Sequence, residues 1–73
     1  MSEIILKVEP AAGGWWVACD LPLEPIYFHS DRLAEQAARG LALKLTDLGR
    51  DVRLFICDVS RQTVATHRYF GLS

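Results

Sequence analysis

The chain has few of the devices that usually staple small domains. Its 73 residues include only two cysteines, Cys19 and Cys57, and two histidines, His29 and His67. Cysteines so few and so far apart cannot form a disulfide framework, and they predict a cytoplasmic protein with reduced thiols. Neither sign of charge dominates: 8 Lys+Arg stand against 9 Asp+Glu, a net charge of -1. That balance excludes a binder relying on a general basic field for polyanions. Long apolar runs are missing too, and none approaches the roughly 18 residues of a membrane span. Ser2 and Glu3 stand where a signal peptide would be basic, and Ile4-Ile5-Leu6 is too short for its apolar core. No membrane segment is therefore expected.

What is present is apolar. Hydrophobic residues make up 51% of the chain, too many for a disordered segment. The length allows one domain, residues 1–73. A domain this small buries only about 60% of its unfolded surface, which favours a staple or a partner subunit.

Local patterns predict five strands and a helix. Glu3 to Glu9 alternates Ile4, Leu6 and Val8 with Glu3, Lys7 and Glu9, the period of a half-buried strand. Pro10 ends it, and Gly13-Gly14 suits a hairpin loop. Trp15 to Asp20 forms the second strand. Pro22 and Pro25 interrupt the ladder, and Ile26-Tyr27-Phe28 fits a brief third strand. Ser30 is a candidate helix N-cap with Asp31 after it. At 100° per residue, Leu33, Ala34, Ala37, Ala38, Leu41, Leu45 and Leu48 share one arc. Glu35 and Arg39 stand opposite, at i,i+4. Gly49 is placed to close a helix over 30–48. Gly40 within it is either a tolerated surface glycine or a place where another molecule's backbone comes close. Val52 to Val59 and Thr63 to Phe70 form a final hairpin around Asp58–Gln62.

The predicted fold is α+β: an antiparallel sheet of four to five strands with one helix on one face, in the order β-β-(β)-α-β-β. A lone helix covers one face only, and the other should be polar in a monomer. Yet Ile5, Phe55, Cys57 and Val59 fall opposite the main apolar sets, the second strand has a tryptophan on each side, and Tyr27 opposes Ile26 and Phe28. Apolar groups left uncovered usually mark an interaction surface. A homodimer on that face or on the last hairpin follows, and it would also enlarge a small core. The alternative is that strand twist and the loops Leu21–Pro25 and Leu72–Ser73 cover the second face.

Catalytic chemistry finds little support. A zinc site would need Cys19, Cys57, His29 and His67, with no C-x₂-C or H-x₃-H spacing among them, and small apolar cysteines in strands are the ordinary case. His29-Ser30-Asp31 contains triad residue types, but adjacent residues cannot adopt triad geometry. No G-x-G-x-x-G or G-x-x-x-x-G-K-[ST] occurs. The expectation is no enzyme, no cofactor and no metal. Arg32, Arg39 and Arg50 read as a solvated helix face, and Leu43 as an exposed leucine. Arg53, Arg61, His67 and Arg68 lie beside Tyr69 and Phe70, a mix that can bind nucleic acid, though Glu35, Asp47, Asp51 and Asp58 dilute it. The candidate interaction residues are Trp16, Tyr27, Phe55, Arg53, Arg68 and Tyr69.

Gly14-Trp15-Trp16-Val17, Phe28-His29-Ser30, Ala34-Glu35-x-Ala37-Ala38, Leu54-x-Ile56-x-Asp58 and Arg68-Tyr69-Phe70-Gly71 follow in that order. This succession resembles a family of short bacterial proteins, a domain of unknown function. Its members pair a Gly-Trp-x-Val strand with an Ala-Glu helix and a terminal hairpin ending in Tyr-Gly. Here Phe70 separates Tyr69 from Gly71, and Ser60-Arg61 replaces the family's Asp-Gly turn. That resemblance implies no activity. Residues 4–48, through Gly13-Gly14-Trp15-Trp16-Val17-Ala18, Asp20-Leu21-Pro22 and the helix, are also similar to the partial RNase-H-like domain of HicB-type antitoxins. That likeness implies a regulator binding a protein partner, although nothing after Leu48 looks like a DNA-binding segment. The leading reading is a non-enzymatic, self-associating interaction module. The alternatives are the antitoxin-like regulator and a nucleic-acid module using the C-terminal hairpin.

Overall fold

The computed structural model describes residues 3–71. Strands β1 (Ile4–Ala11), β2 (Gly14–Cys19) and β3 (Ile26–Phe28) precede helix α1 (Asp31–Asp47), and β4 (Val52–Cys57) and β5 (Thr63–Tyr69) follow it. They form one five-stranded sheet in the order β3-β2-β1-β4-β5. The α+β class and the element order agree with the sequence reading.

The sheet is mixed, which corrects the antiparallel expectation. β1 and β4 run parallel, with Leu6 level with Leu54, while the other three pairings are antiparallel. Two successive hairpins leave β3 running the same way as β1. The helix then carries the chain back along the sheet, so β4 enters beside β1 in the same direction. Parallel neighbours require such a crossover. Alternating patterns indicate strands but not which strand comes alongside.

The ends of the elements follow local chemistry. Ser30 caps α1: its Oγ accepts from the Leu33 amide at 3.2 Å. At the other end the Gly49 amide donates to the Thr46 carbonyl and the Arg50 amide to the Leu45 carbonyl, with Gly49 at φ +86°. This is a Schellman motif, and it requires a residue that tolerates positive φ. In the β4–β5 turn one Asp58 carboxylate oxygen accepts from the Ser60 and Gln62 amides. Two boundaries differ from expectation by two residues, and the others by at most one. β1 runs through Pro10, because β4 pairs only as far as Val8 and Pro10 therefore lies on a free edge, where a missing donor is tolerated. β4 stops at Cys57, because the Asp58 turn claims the next residues and leaves Val59 exposed.

The core lies between α1 and one face of the sheet. Ile4, Leu6 and Val8 of β1, Val17 of β2, and Val52, Leu54 and Ile56 of β4 meet Ala34, Ala38 and Ala42 of α1. The helix is rotated from the expected orientation. Its buried stripe is Ala34, Ala38, Ala42 and Thr46, each four residues after the last. Small side chains let the helix lie close to the central strands, and Leu41 and Leu45, one row to the side of the stripe, pack partly buried beside the contact. Leu33 and Leu48, assigned to the buried arc by periodicity, are 48% and 77% exposed. The Thr46 hydroxyl is satisfied inside the helix, donating to the Leu43 carbonyl at 2.8 Å. Gly40 is exposed, and a Cβ there would meet no neighbouring atom within 4 Å.

Gly40→Ala should therefore raise the unfolding free energy by about 0.5–1 kcal/mol, the propensity difference between the two residues in a helix interior. Urea unfolding checks this.

Candidate functional site

The helix contacts one side of the sheet and leaves the other open. Pairing and alternation define the open face. Tyr27 of β3 lies beside Trp16 of β2, and Trp16 beside Glu9 of β1. The next row places Ala18, Lys7, Phe55 and Thr66 side by side, and the row after that places Ile5, Arg53 and Arg68 together. Five of the six candidate residues, Trp16, Tyr27, Phe55, Arg53 and Arg68, thus share one face. The sixth does not. Tyr69 is paired with Val52 on the helix side and packs half-buried against the core.

The apolar content of this face is more modest than the sequence suggested. Trp16 and Tyr27 are 37% and 38% exposed, and Ile5 and Phe55 are half-buried. Cys57 is buried at an irregularity where Ile56 and Cys57 face Ala65 and Thr63, and Val59 projects from the turn. The loop Leu21–Pro25 does not shield the open side, since Leu21 packs on the helix-side core. The suggestion that Leu72–Ser73 help to cover it lies outside the described residues.

At one end the rings are locked together. Trp16 and Tyr27 meet edge to face with centroids 5.4 Å apart, and Tyr27 meets His29 in the same manner at 5.6 Å. The Tyr27 hydroxyl donates to the Ala12 carbonyl at 3.3 Å. This path crosses Gly14: a Cβ there would lie 2.4 Å from both the Tyr27 hydroxyl and the Phe28 carbonyl oxygen. Glycine at position 14 is what admits β3 and its ring to the sheet.

At the other end the charges are partly cancelled. Glu3 takes Arg53 at 2.9 Å and Arg68 at 3.6 Å, and the Arg68 guanidinium also stands 5.4 Å from the centre of the Phe70 ring. The basic hairpin read from sequence is divided by the pleat. His67 faces the helix, where Arg39 donates to its Nε2 at 3.3 Å, and Arg61 occupies the turn at φ +65°. Arginine has no acceptor, so Nε2 is the accepting atom of this contact. Arg39 was expected beside Glu35; it reaches across to β5 instead. Among the described residues no three His, Cys, Asp or Glu gather as metal ligands, and no helix is long and apolar enough to cross a membrane.

A feature missed by sequence reasoning lies on the helix side. Leu41 of α1 and Val17, Cys19, Leu23 and Ile26 of the β2–β3 region line an open apolar groove of about 260 Å³. Leu23 and Ile26 are 57% and 53% exposed. Their placement depends on the rotation of the helix, which periodicity did not specify. No family model matches the chain, and neither a curated protein nor a solved structure matches it.

Gly14→Ala should cost about 1–3 kcal/mol through overpacking and should separate Tyr27 from Trp16. Urea unfolding followed by tryptophan fluorescence measures both effects.

Proposed function

We propose that this chain is a non-enzymatic interaction module that self-associates through the open face of its sheet. The observation that carries the reading is the gathering of Ile5, Trp16, Tyr27 and Phe55 on the one face the helix leaves uncovered. An uncovered face with aromatic groups among charged ones has the composition of a protein contact, with apolar anchors in a polar surround. The size of the chain favours the same reading, since a second copy extends a core that one helix and one sheet can only partly build. The side chains able to do chemistry lie apart. His29 stacks on Tyr27 at one end of the open face, His67 is engaged by Arg39 on the opposite side, and Cys57 is buried.

The nucleic-acid alternative rests on Arg53, Arg68 and Phe70 lying together at the other end of this face. It is weakened by Glu3, which holds both guanidinium groups, and by Glu9 along the same surface. Phosphate contacts need cations that are free to replace counterions. The antitoxin-like alternative calls for a protein partner at the same surface and rests on the resemblance of residues 4–48.

Sedimentation equilibrium should give twice the chain mass at micromolar concentration. Trp16→Lys combined with Phe55→Ser should give the single-chain mass, with helical circular dichroism retained. A wild-type chain that stays single at high micromolar concentration removes the reading. Retention on single-stranded nucleic acid that falls with salt and disappears in Arg53→Ala with Arg68→Ala would instead establish the nucleic-acid alternative.

A further inference from the structure

The open face carries an uncancelled pair of charges at its centre. Lys7 and Glu9 lie two residues apart on β1, the middle strand of the sheet, and so project from the same face. Lys7 is exposed and Glu9 is half-buried. Neither forms an ion pair among the described residues, in contrast to Arg53 and Arg68 with Glu3. Covering this face with an apolar surface would strand both charges, and an unpaired buried charge is strongly unfavourable. Whatever covers it must present an anion over Lys7 and a cation over Glu9, separated by the same distance.

A second copy of the chain does so. We infer that two copies stack open face to open face about a twofold axis that crosses β1 between Lys7 and Glu9, so that Lys7 of each protomer meets Glu9 of the other. The inference rests on the self-association reading above and specifies its register. An axis in the plane of the interface and perpendicular to the strands lays each strand antiparallel over its own copy. The strand directions then match those of aligned sheet packing, and the contact is isologous, as a twofold requires.

The neighbouring strands fit the same axis. The row holding Glu9 also holds Trp16, and the row holding Lys7 holds Ala18 and Phe55. Exchanging the two rows across the axis sets Trp16 over the partner's Ala18. There a large side chain meets a small one, and on β1 each charge meets its opposite. Moving the axis by one residue to centre on Lys7 itself, which shifts the pairing by two, would oppose like charges, which interfaces avoid at a cost of several kcal/mol. These side chains therefore select one register among the neighbouring ones.

Charge reversal tests the register without disturbing the core, since both residues lie on the face away from the helix. Lys7→Glu alone and Glu9→Lys alone should each weaken the homodimer by at least about a hundredfold, through like charges held opposite one another. Mixing the two single variants should restore a dimer containing one chain of each, and the double variant Lys7→Glu with Glu9→Lys should form a homodimer of wild-type strength. Sedimentation of each chain and of the mixture, with circular dichroism to confirm folding, reads all of these. A wild-type dimer indifferent to both single reversals, or a mixture that fails to pair, overturns this register while leaving self-association standing. A wild-type chain that never dimerises overturns both.

Discussion

One helix lies on one side of five strands, and the narrowness of its buried stripe governs the rest of the molecule. Ala34, Ala38 and Ala42 have almost no side chain to hold the helix away, so it settles directly on β2, β1 and β4. The last two of these strands carry the largest fully buried side chains, Ile4, Leu6, Val8, Val52 and Leu54. Interiors pack at crystal-like density, so a close helix on large aliphatic strand residues is one way to fill the space without voids. The larger helix residues are pushed to the flanks, where Leu41 and Leu45 are half-covered and Leu33 and Leu48 are not. Among the described residues this one helix covers a single face and no element lies over the second.

The composition of that second face bears on what it can do. It is neither a wholly apolar surface nor a basic one. Its arginines are tied to Glu3, its Trp16 and Tyr27 rings are paired near the β1–β2 turn, and its centre carries one cation and one anion of the same strand. Surface ion pairs of the Glu3 kind contribute little to stability, about 0–1 kcal/mol. Their effect here is to reduce the free positive charge of this face.

Gly14 and Gly71 show how a few backbone contacts hold this small sheet at its margins. Gly14 lies beneath the Tyr27 hydroxyl and the Phe28 carbonyl, and Gly71 lies against Gly49 and Arg50 while its amide donates to Asp51 at 2.8 Å. In each place a Cβ would come within 2.6 Å of backbone atoms. Edge strand β3 and the end of β5 are thus anchored where the sequence offers only a small residue and no visible reason for it.

Much of the fold was legible because it is governed by neighbours in the chain. The alternation in Ile4–Val8, the Ser30 cap, the Gly49 terminus and the Asp58 turn are all local chemistry, and each element predicted from them is present. The candidate face was legible in part: alternation separates Trp16 and Phe55 from the main apolar sets of their strands, whereas Tyr69 joins the candidates only through its adjacency to Arg68 in the chain, and the pleat divides the two. The remainder depended on which segments come together. The pleat of β5 turns Tyr69 toward the core, the crossover makes β1 and β4 parallel, the free edge of β1 admits Pro10, and the rotation of α1 buries Thr46 and exposes Leu48. Sequence periodicity records which residues share a side of one element. The partner that side meets, and how closely, is decided only when strands and helix compete for the same interior volume.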